Sequence, residues 1–103
     1  MALQNSITFD NQINVSSAYI RICRIDFEYS NPTHVIIRTA IYFNQTAYNN
    51  GSPEITSLEH VCKDSDYDTY LSDDVLNLVD NNPTSQSYEW LKTLPMYSGS
   101  IDI

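Results

Sequence analysis

The sequence predicts an α+β fold that is mainly β: an antiparallel β-sandwich or barrel-like sheet followed by one or two short C-terminal helices. Residues 18–29 and 34–43 carry apolar side chains at alternate positions, which is the period of a strand. Helical spacing first occurs after an acidic stretch at 63–74. A chain of 103 residues fits one domain. We divide it into a β-sheet region, 1–62, and a region with an acidic loop, helices and an apolar C-terminal tail, 63–103.

A short hairpin is predicted at the start of the chain. Two apolar residues, Ile7 and Phe9, lie two positions apart, and so do Ile13 and Val15. The polar residues 10–12 separate the two pairs. This pattern predicts two short strands joined by a tight turn.

The next predicted strand, 18–29, changes its buried side halfway along. Its apolar side chains lie first at even and then at odd positions: Ala18, Ile20 and Ile22, followed by Cys23, Ile25 and Phe27. A regular strand cannot bury both sets, because successive side chains face opposite sides of a sheet. One extra residue at the Ile22–Cys23 step would restore the alternation, and so would a bend. We therefore predict a bulged or bent strand, one half of which packs on the chain's own core and the other half on another sheet or subunit.

Two further strands complete the predicted sheet. Turn residues Asn31-Pro32-Thr33 precede the strand 34–43, which has the clearest alternation in the chain. Residues 49–53, Asn-Asn-Gly-Ser-Pro, end the pairing, and a strand of mixed quality follows at 54–62. The strands 18–29 and 34–43 are expected to form the centre of the sheet.

Two helices are predicted in the last third of the chain. Val75, Leu78 and Val79 have helical spacing, and Ser72 is placed to cap that helix. The second helix begins at Asn82-Pro83, since proline suits the first helical position, and ends before Pro95.

The apolar face of the second helix is expected to contain Tyr88, Leu91 and Leu94. Trp90 lies off that stripe, so we expect it to reach a second surface.

Charge and hydropathy exclude two classes of partner. The net charge is −8, so a phosphate backbone would be repelled and nucleic acid is not expected as a partner. No apolar run of 18 residues exists, which predicts no membrane partner. The first ten residues lack the basic and apolar regions of a secretory signal, so we expect the chain to be intracellular at synthesis.

Two metal-site patterns are present but incomplete. Asp64, Asp66 and Asp68 match the first, third and fifth positions of a calcium-binding loop, whereas Thr69 and Val75 do not fit the sixth and twelfth. A solvated acidic loop is therefore the main interpretation, with weak calcium binding as the alternative.

The second pattern concerns zinc. His60 and Cys62, with Cys23 and His34, supply only one half of a zinc pattern, so ordinary strand side chains are predicted. Without an export signal, the two cysteines are expected to be reduced thiols rather than a disulfide.

Catalytic motifs are not found. The chain has no G-x-S-x-G elbow, and its two glycines cannot form a phosphate-binding loop or a dinucleotide fingerprint. Glu54 and Glu59 could do acid–base chemistry, but nothing in the sequence predicts their burial. We predict a protein that is not an enzyme, has no cofactor and takes no small-molecule ligand.

The residues with the composition of a contact surface are aromatic, basic and apolar. The predicted interface consists of Tyr19, Arg21, Arg24, Tyr88, Trp90, Met96, Tyr97, Ile101 and Ile103. Arg21 and Arg24 fall on opposite faces unless the predicted bulge intervenes. The apolar tail is expected either to return along the chain's own sheet or to pack on a neighbouring subunit.

Both ends of the chain resemble a group of small virion proteins of tailed bacteriophages, encoded among tail and baseplate genes. The resemblance lies in "AYIRI" within residues 1–25 and in "QSYEWLKTLP" within residues 85–103, at Ala18, Tyr19, Arg21 and Ile22 and at Gln86, Tyr88, Leu91, Lys92, Leu94 and Pro95. The chain departs from the group at Asn11 or Gln12, where glycine is frequent, and at Ser87 and Glu89, where alanine is frequent. The resemblance implies a non-enzymatic structural or adaptor component of the tail, baseplate or neck, located in the virion. It also implies other virion proteins as partners and a homo-oligomer.

Two alternatives remain open from the sequence. A carbohydrate-binding β-sandwich would use Tyr88, Trp90 and Tyr97 as a platform for sugar rings. A regulator that mimics the acidity of DNA would use the acid-rich residues 64–80.

Overall fold

The computed structural model describes residues 1–9, 12–78 and 81–103. The strands in these ranges are β1 (Leu3–Thr8), β2 (Asn14–Glu28), β3 (His34–Tyr42), β4 (Thr56–Lys63) and β5 (Ile101–Asp102). The helices in the same ranges are α1 (Gln45–Asn49), α2 (Asp64–Tyr70), α3 (Asp73–Leu76), α4 (Pro83–Leu91) and a 3₁₀ helix (Pro95–Tyr97). None of the described helices combines the length and the hydropathy needed to cross a membrane.

The described strands form one antiparallel sheet in the order β4-β3-β2-β1-β5. The predicted α+β class with a predominance of β structure is confirmed. β2 and β3 each have a neighbour on both sides, as expected for the centre of the sheet. The predicted apolar tail returns along the chain's own sheet, because β5 pairs with β1.

Cys23 is an extra residue in β2. Ile22 lies opposite Thr39, and Arg24 lies opposite Arg38, so no residue of β3 faces Cys23. Of the two predicted alternatives at the Ile22–Cys23 step, a bulge or a bend, the structure has the bulge.

The bulge places both halves of the strand on the same core. Ile20 before it is fully buried, and Ile25 and Phe27 after it pack against the same apolar cluster. The expectation that one half packs on another sheet or on a second subunit is therefore wrong, because the extra residue already resolves the conflict in alternation.

The hairpin and the next strand are one continuous element. β2 begins at Asn14, whereas the sequence predicted a separate short strand there. A second register shift allows this continuity: Ala18 pairs with Asn5, but Val15 pairs with Ile7, so β2 has an extra residue in this stretch. The predicted turn at 10–12 lies mostly outside the described residues. At its end, Gln12 has a φ of 67° and donates its N–H to the Phe9 carbonyl at 2.7 Å.

Helical segments cover one face of the sheet. Leu71, Leu91 and Tyr97 are fully buried in a cluster with residues of that face such as Ile37 and Cys62. Their burial fixes α2, α4 and the 3₁₀ helix on the sheet.

Tyr88 adds a polar link between α4 and the sheet. Its hydroxyl accepts the Ile22 N–H at 2.9 Å and donates to the Met1 carbonyl at 3.0 Å. Leu3, the first residue of β1, lies opposite Ile20. The Tyr88 hydroxyl therefore joins β2 to the chain just before β1, where the pairing of the two strands begins.

The acidic stretch is helical rather than a loop. α2 carries Asp64 and Asp66 in its first turn, where negative charge is favourable. Tyr67 and Leu71 then pack on the core, with the spacing of one helical face. The predicted solvated loop is wrong because this apolar face is buried.

The two predicted helices differ in accuracy. α4 begins as predicted, with the Asn82 side chain accepting the Ser85 N–H at 2.8 Å. It ends at Leu91, so Leu94 lies beyond the helix. α3 spans only Asp73–Leu76, and the Ser72 hydroxyl donates to the Asp68 carbonyl instead of capping α3. The predicted contribution of Val79 lies outside the described residues.

α1 was not predicted, and it lies on the opposite face of the sheet. The Asn44 side chain caps it by accepting the Ala47 N–H at 2.8 Å. Its Tyr48 ring packs 5.1 Å from the Tyr19 ring and 5.0 Å from the Tyr42 ring, centre to centre. This contact buries Tyr19 on the outer face.

Candidate functional site

An apolar groove lies where the helices leave part of the sheet's inner face uncovered. The groove has a volume of about 1040 Å³, and its lining comes from the β1–β2 hairpin, the end of β3, the start of β4 and the 3₁₀ helix. We name it the apolar groove and define it by Phe9, Ile13, Val15, Phe43, Ile55 and Met96.

Three large apolar side chains of the groove are exposed to solvent. The exposed fractions are 58% for Ile13, 60% for Phe43 and 48% for Ile55. Full burial of a side chain of this size stabilises by about 1.5–3 kcal/mol, so covering these half-exposed groups would contribute on the order of 3 kcal/mol in total. Clustered exposed apolar residues are typical of contact surfaces.

The pairing of β3 with β4 holds two of these residues at the same edge. Ile41 lies opposite Thr56, so Phe43 and Ile55 both come just beyond the paired segment. The Ile55 N–H donates to the Ile41 carbonyl at 2.7 Å and anchors this edge. The Asn44 cap turns the chain away into α1 immediately after Phe43, which leaves that ring without a cover from the following residues.

The apolar groove has no charged residue in its described lining. Glu54 is exposed and directly precedes Ile55 in the chain. Burial, followed by the negative charge of Glu54, raises the pKa of Tyr42. Because Tyr42 packs against Tyr48 on the outer face, the charge of Glu54 acts on that face of the sheet.

A buried polar cluster adjoins the apolar groove. The Tyr97 hydroxyl lies 2.8 Å from Thr39 Oγ1 and 2.8 Å from His60 Nε2. Tyr97 directly follows Met96, and Thr39 lies opposite Leu58, and both Met96 and Leu58 line the groove.

Burial governs the protonation of this cluster. It lowers the pKa of His60 and raises the pKa of Tyr97, so both groups are neutral near neutral pH. Tyr97 is fully buried and cannot meet a substrate. The cluster therefore ties the 3₁₀ helix to the sheet and shapes the wall of the groove.

Four residues of the predicted interface have little surface exposed to solvent. Tyr19, Tyr88, Trp90 and Tyr97 are buried within the chain itself. Trp90 does not reach a second surface, because it packs in the core and donates its Nε1–H to Asp66 at 3.1 Å. These rings cannot contact a partner while the fold is intact.

The two arginines of the predicted interface share one face, as expected if a bulge intervenes. Arg21 lies opposite Ala40, and Arg24 lies opposite Arg38, all on the outer face. The Arg21 guanidinium sits 4.8 Å from the centre of the Tyr48 ring. Arg24 pairs with Asp26 at 2.8 Å, a surface contact of small energetic value.

The remaining predicted interface residues come from the tail. Met96 lines the apolar groove, whereas Ile101 and Ile103 are partly exposed at the β5 edge. Ala2 and Ile103 exchange backbone hydrogen bonds at 3.0 and 3.1 Å, which holds this edge in place.

The principal groove residues were not predicted as contact residues. The first and last of these residues, Phe9 and Ile55, are 46 positions apart in the chain, with Ile13 and Phe43 between them. The available signal was that each large apolar residue stands at the end of a strand, beside a turn, where its own strand cannot bury it.

The two incomplete metal-site patterns were considered in the sequence, and a metal site was not predicted from either. Within the described ranges, no group of three or more His, Cys, Asp or Glu side chains is placed to hold a metal ion. Asp64, Asp66 and Asp68 lie on α2 rather than on a loop. Cys23 is an exposed free thiol and Cys62 a buried one.

Comparison with known proteins gave no match to a family model, to a curated protein or to a solved structure.

Proposed function

We propose that this protein is a non-enzymatic structural or adaptor component that acts through protein–protein contacts. The observation that carries the proposal is the apolar groove, in which Ile13, Phe43 and Ile55 are about half exposed on one concave surface. Exposed apolar side chains that are grouped in this way favour a partner that covers them.

The proposed setting is the virion of a tailed bacteriophage, in its tail, baseplate or neck. This part rests on the sequence resemblance of residues 1–25 and 85–103. The two segments are also neighbours in space, since Tyr88 bonds to Ile22 and Met1, and β5 pairs with β1. Their joint packing supports treating them as one unit.

The setting is tested on particles of a phage that encodes the chain. We expect the protein to remain with particles purified on a density gradient and to be present at a fixed ratio to the major tail protein, as measured by quantitative mass spectrometry. Its absence from infectious particles would contradict the virion proposal.

Oligomeric state separates the two forms that such a component takes. A homo-oligomeric ring predicts, by light scattering, a discrete multiple of the 11.8 kDa chain that persists on dilution. A monomer at every concentration would remove the ring and leave an adaptor between unlike proteins.

The carbohydrate alternative has no observation in its favour. Its three platform residues, Tyr88, Trp90 and Tyr97, are buried among core side chains and are not available to a sugar ring.

A further inference from the structure

We propose that the free edge of β4 pairs with the same edge of a second copy of this chain, which joins the two sheets across a two-fold axis at Val61. This surface is separate from the apolar groove, since none of residues 59–63 lines the groove. The inference therefore goes beyond the proposed function and does not depend on it.

β4 leaves one side of its backbone without a partner strand. It stands at the end of the strand order, so among the described strands only β3 pairs with it. A strand in this position presents a row of N–H and C=O groups that can bind another strand. β4 also pairs with β3 without a register shift, whereas the β1–β2 and β2–β3 pairings each contain one. The edge is therefore regular enough to accept an added strand.

The opposite edge of the sheet is less suitable. β5 consists of two residues, Ile101 and Asp102. The Asn5 side chain, on the part of β1 that β5 does not cover, donates to the Ser98 carbonyl at 3.2 Å. We therefore place the contact at β4.

The outer-face side chains of β4 select a second copy and one register. Glu59, Val61 and Lys63 follow one another on this face, so an acidic and a basic group flank an apolar one. Residues that lie opposite each other in an antiparallel pair share a face. An axis at Val61 places Glu59 of each copy opposite Lys63 of the other, and the two valines opposite each other. The pattern complements itself, as a two-fold contact requires.

The neighbouring registers lack this match. An axis at His60 would leave Glu59 opposite Val61, a charge against an apolar side chain. An axis at Glu59 would bring two carboxylates together, which destabilises a strand pair. The paired segment ends at residue 63, because Asp64 has a φ of 55° and begins α2.

The side chains at this edge have unused contacts. Val61 is 49% exposed and lies beside Ile36 of β3, so pairing would form an apolar row with two side chains from each copy. Within the described residues Lys63 has no ion pair, and Glu59 has a long one, to Arg38 at 3.5 Å. A second copy supplies a partner for Lys63 and a second cation for Glu59.

The dimer is expected to be weak. Two chains of net charge −8 repel each other, and the paired segment of residues 59–63 is short. Association should therefore increase with concentration and reverse on dilution.

Sedimentation velocity on charge variants tests the register. The natural chain should shift from 11.8 kDa toward twice that mass as its concentration rises to about 1 mM. Glu59→Lys and Lys63→Glu should each weaken the dimer by at least about tenfold, because two opposite-charge pairs become two like-charge pairs. An equimolar mixture of the two variants should associate again, since both of its mixed pairs have opposite charges.

A matched pair of variants locates the contact. Val61 is 49% exposed, and Ile55, in the apolar groove, is 48% exposed. Val61→Asp brings two carboxylates together at the axis and should abolish the dimer, whereas Ile55→Asp should leave it unchanged. Circular dichroism checks that each variant is folded, which is expected because both side chains are exposed.

Three results would overturn the inference. The first is a monomer at every concentration up to about 1 mM, and the second is a mixture of Glu59→Lys and Lys63→Glu that stays monomeric. The third is an equal loss of association in Val61→Asp and Ile55→Asp, which would move the contact between copies to the apolar groove. The first two results would leave the proposed function of the groove in place.

Discussion

Deletion of Cys23 should be tolerated, although this residue lies within a central strand. In the folded chain Cys23 has no register partner in β3, although its thiol donates to the Arg38 carbonyl at 3.5 Å. The residues on either side of it, Ile22 and Arg24, already pair with the neighbouring residues Thr39 and Arg38. Without Cys23, a regular alternation continues from Ile22 through residues 24–28 and keeps every side chain on its present face.

The expected loss of free energy of unfolding is small for deletion of Cys23 and large for deletion of Arg38, which serves as the matched control. Removal of Cys23 loses an exposed side chain, its long thiol hydrogen bond to Arg38 and the local twist of a bulge, which we place at about 1 kcal/mol or less in total. Deletion of Arg38 on the facing strand would turn Val35 and Ile37 to the outer face. Both are fully buried, and exposing them would destabilise by about 3–6 kcal/mol.

Urea unfolding followed by the fluorescence of the single tryptophan measures both effects, since Trp90 is buried in the folded chain. With a urea dependence of about 1–3 kcal/mol per molar, a loss of 3 kcal/mol moves the midpoint by roughly 1–3 M. The reasoning would be refuted if deletion of Cys23 destabilised the protein as much as deletion of Arg38.

Three further outcomes are expected. Tyr97→Phe should lower the free energy of unfolding by about 1–3 kcal/mol, because the buried Thr39 and the partly buried His60 both lose their hydrogen bond to the Tyr97 hydroxyl. Tyr29→Phe, at a site 72% exposed, should change it little in the same urea titration. Burial lowers the pKa of His60 below its ordinary 6.5. The contribution of the neutral imidazole to the free energy of unfolding is therefore complete above that pH and is lost as the pH falls from there through the lower folded pKa. Between about pH 7.5 and pH 5.5, His60→Gln should lose stability less steeply than the natural chain, and identical slopes would contradict the assignment. Burial raises the pKa of Cys62 to about 12, so a thiol reagent should modify Cys23 alone in the folded chain and both cysteines in urea; rapid reaction of two thiols in the folded chain would contradict the burial.

Patterns within one element were read correctly from the sequence. The change of buried side at Ile22–Cys23 predicted a bulge or a bend at that step, and the Asn82-Pro83 start of α4 was also predicted. Both depend on contacts between residues that are close in the chain, or on strand alternation, which a sequence displays directly.

The helix α2 was missed because its many aspartates suggested a solvated loop. The stretch 64–70 was interpreted as a loop because of its aspartates, although Tyr67, Tyr70 and Leu71 have the spacing of a helical face. The aspartates occupy the solvent side of α2, where they are compatible with a helix that buries its other side.

The surface available to partners could not be read from the sequence. Tyr88 and Trp90 have the composition of contact residues, yet both are buried. An aromatic side chain serves a core and an interface equally well, because each removes apolar area from water. Which role it takes depends on whether the rest of the chain covers it.

The sequence by itself determined the mainly β class, the position at which β2 changes its buried side and the acidic net charge, since each follows from local alternation or from residue counts. Only the tertiary structure decided that the helices cover one part of the sheet's inner face and leave Phe43 and Ile55 exposed beside the hairpin. The physical reason is that a groove is the space between elements far apart in the chain, and its existence depends on where their packing ends.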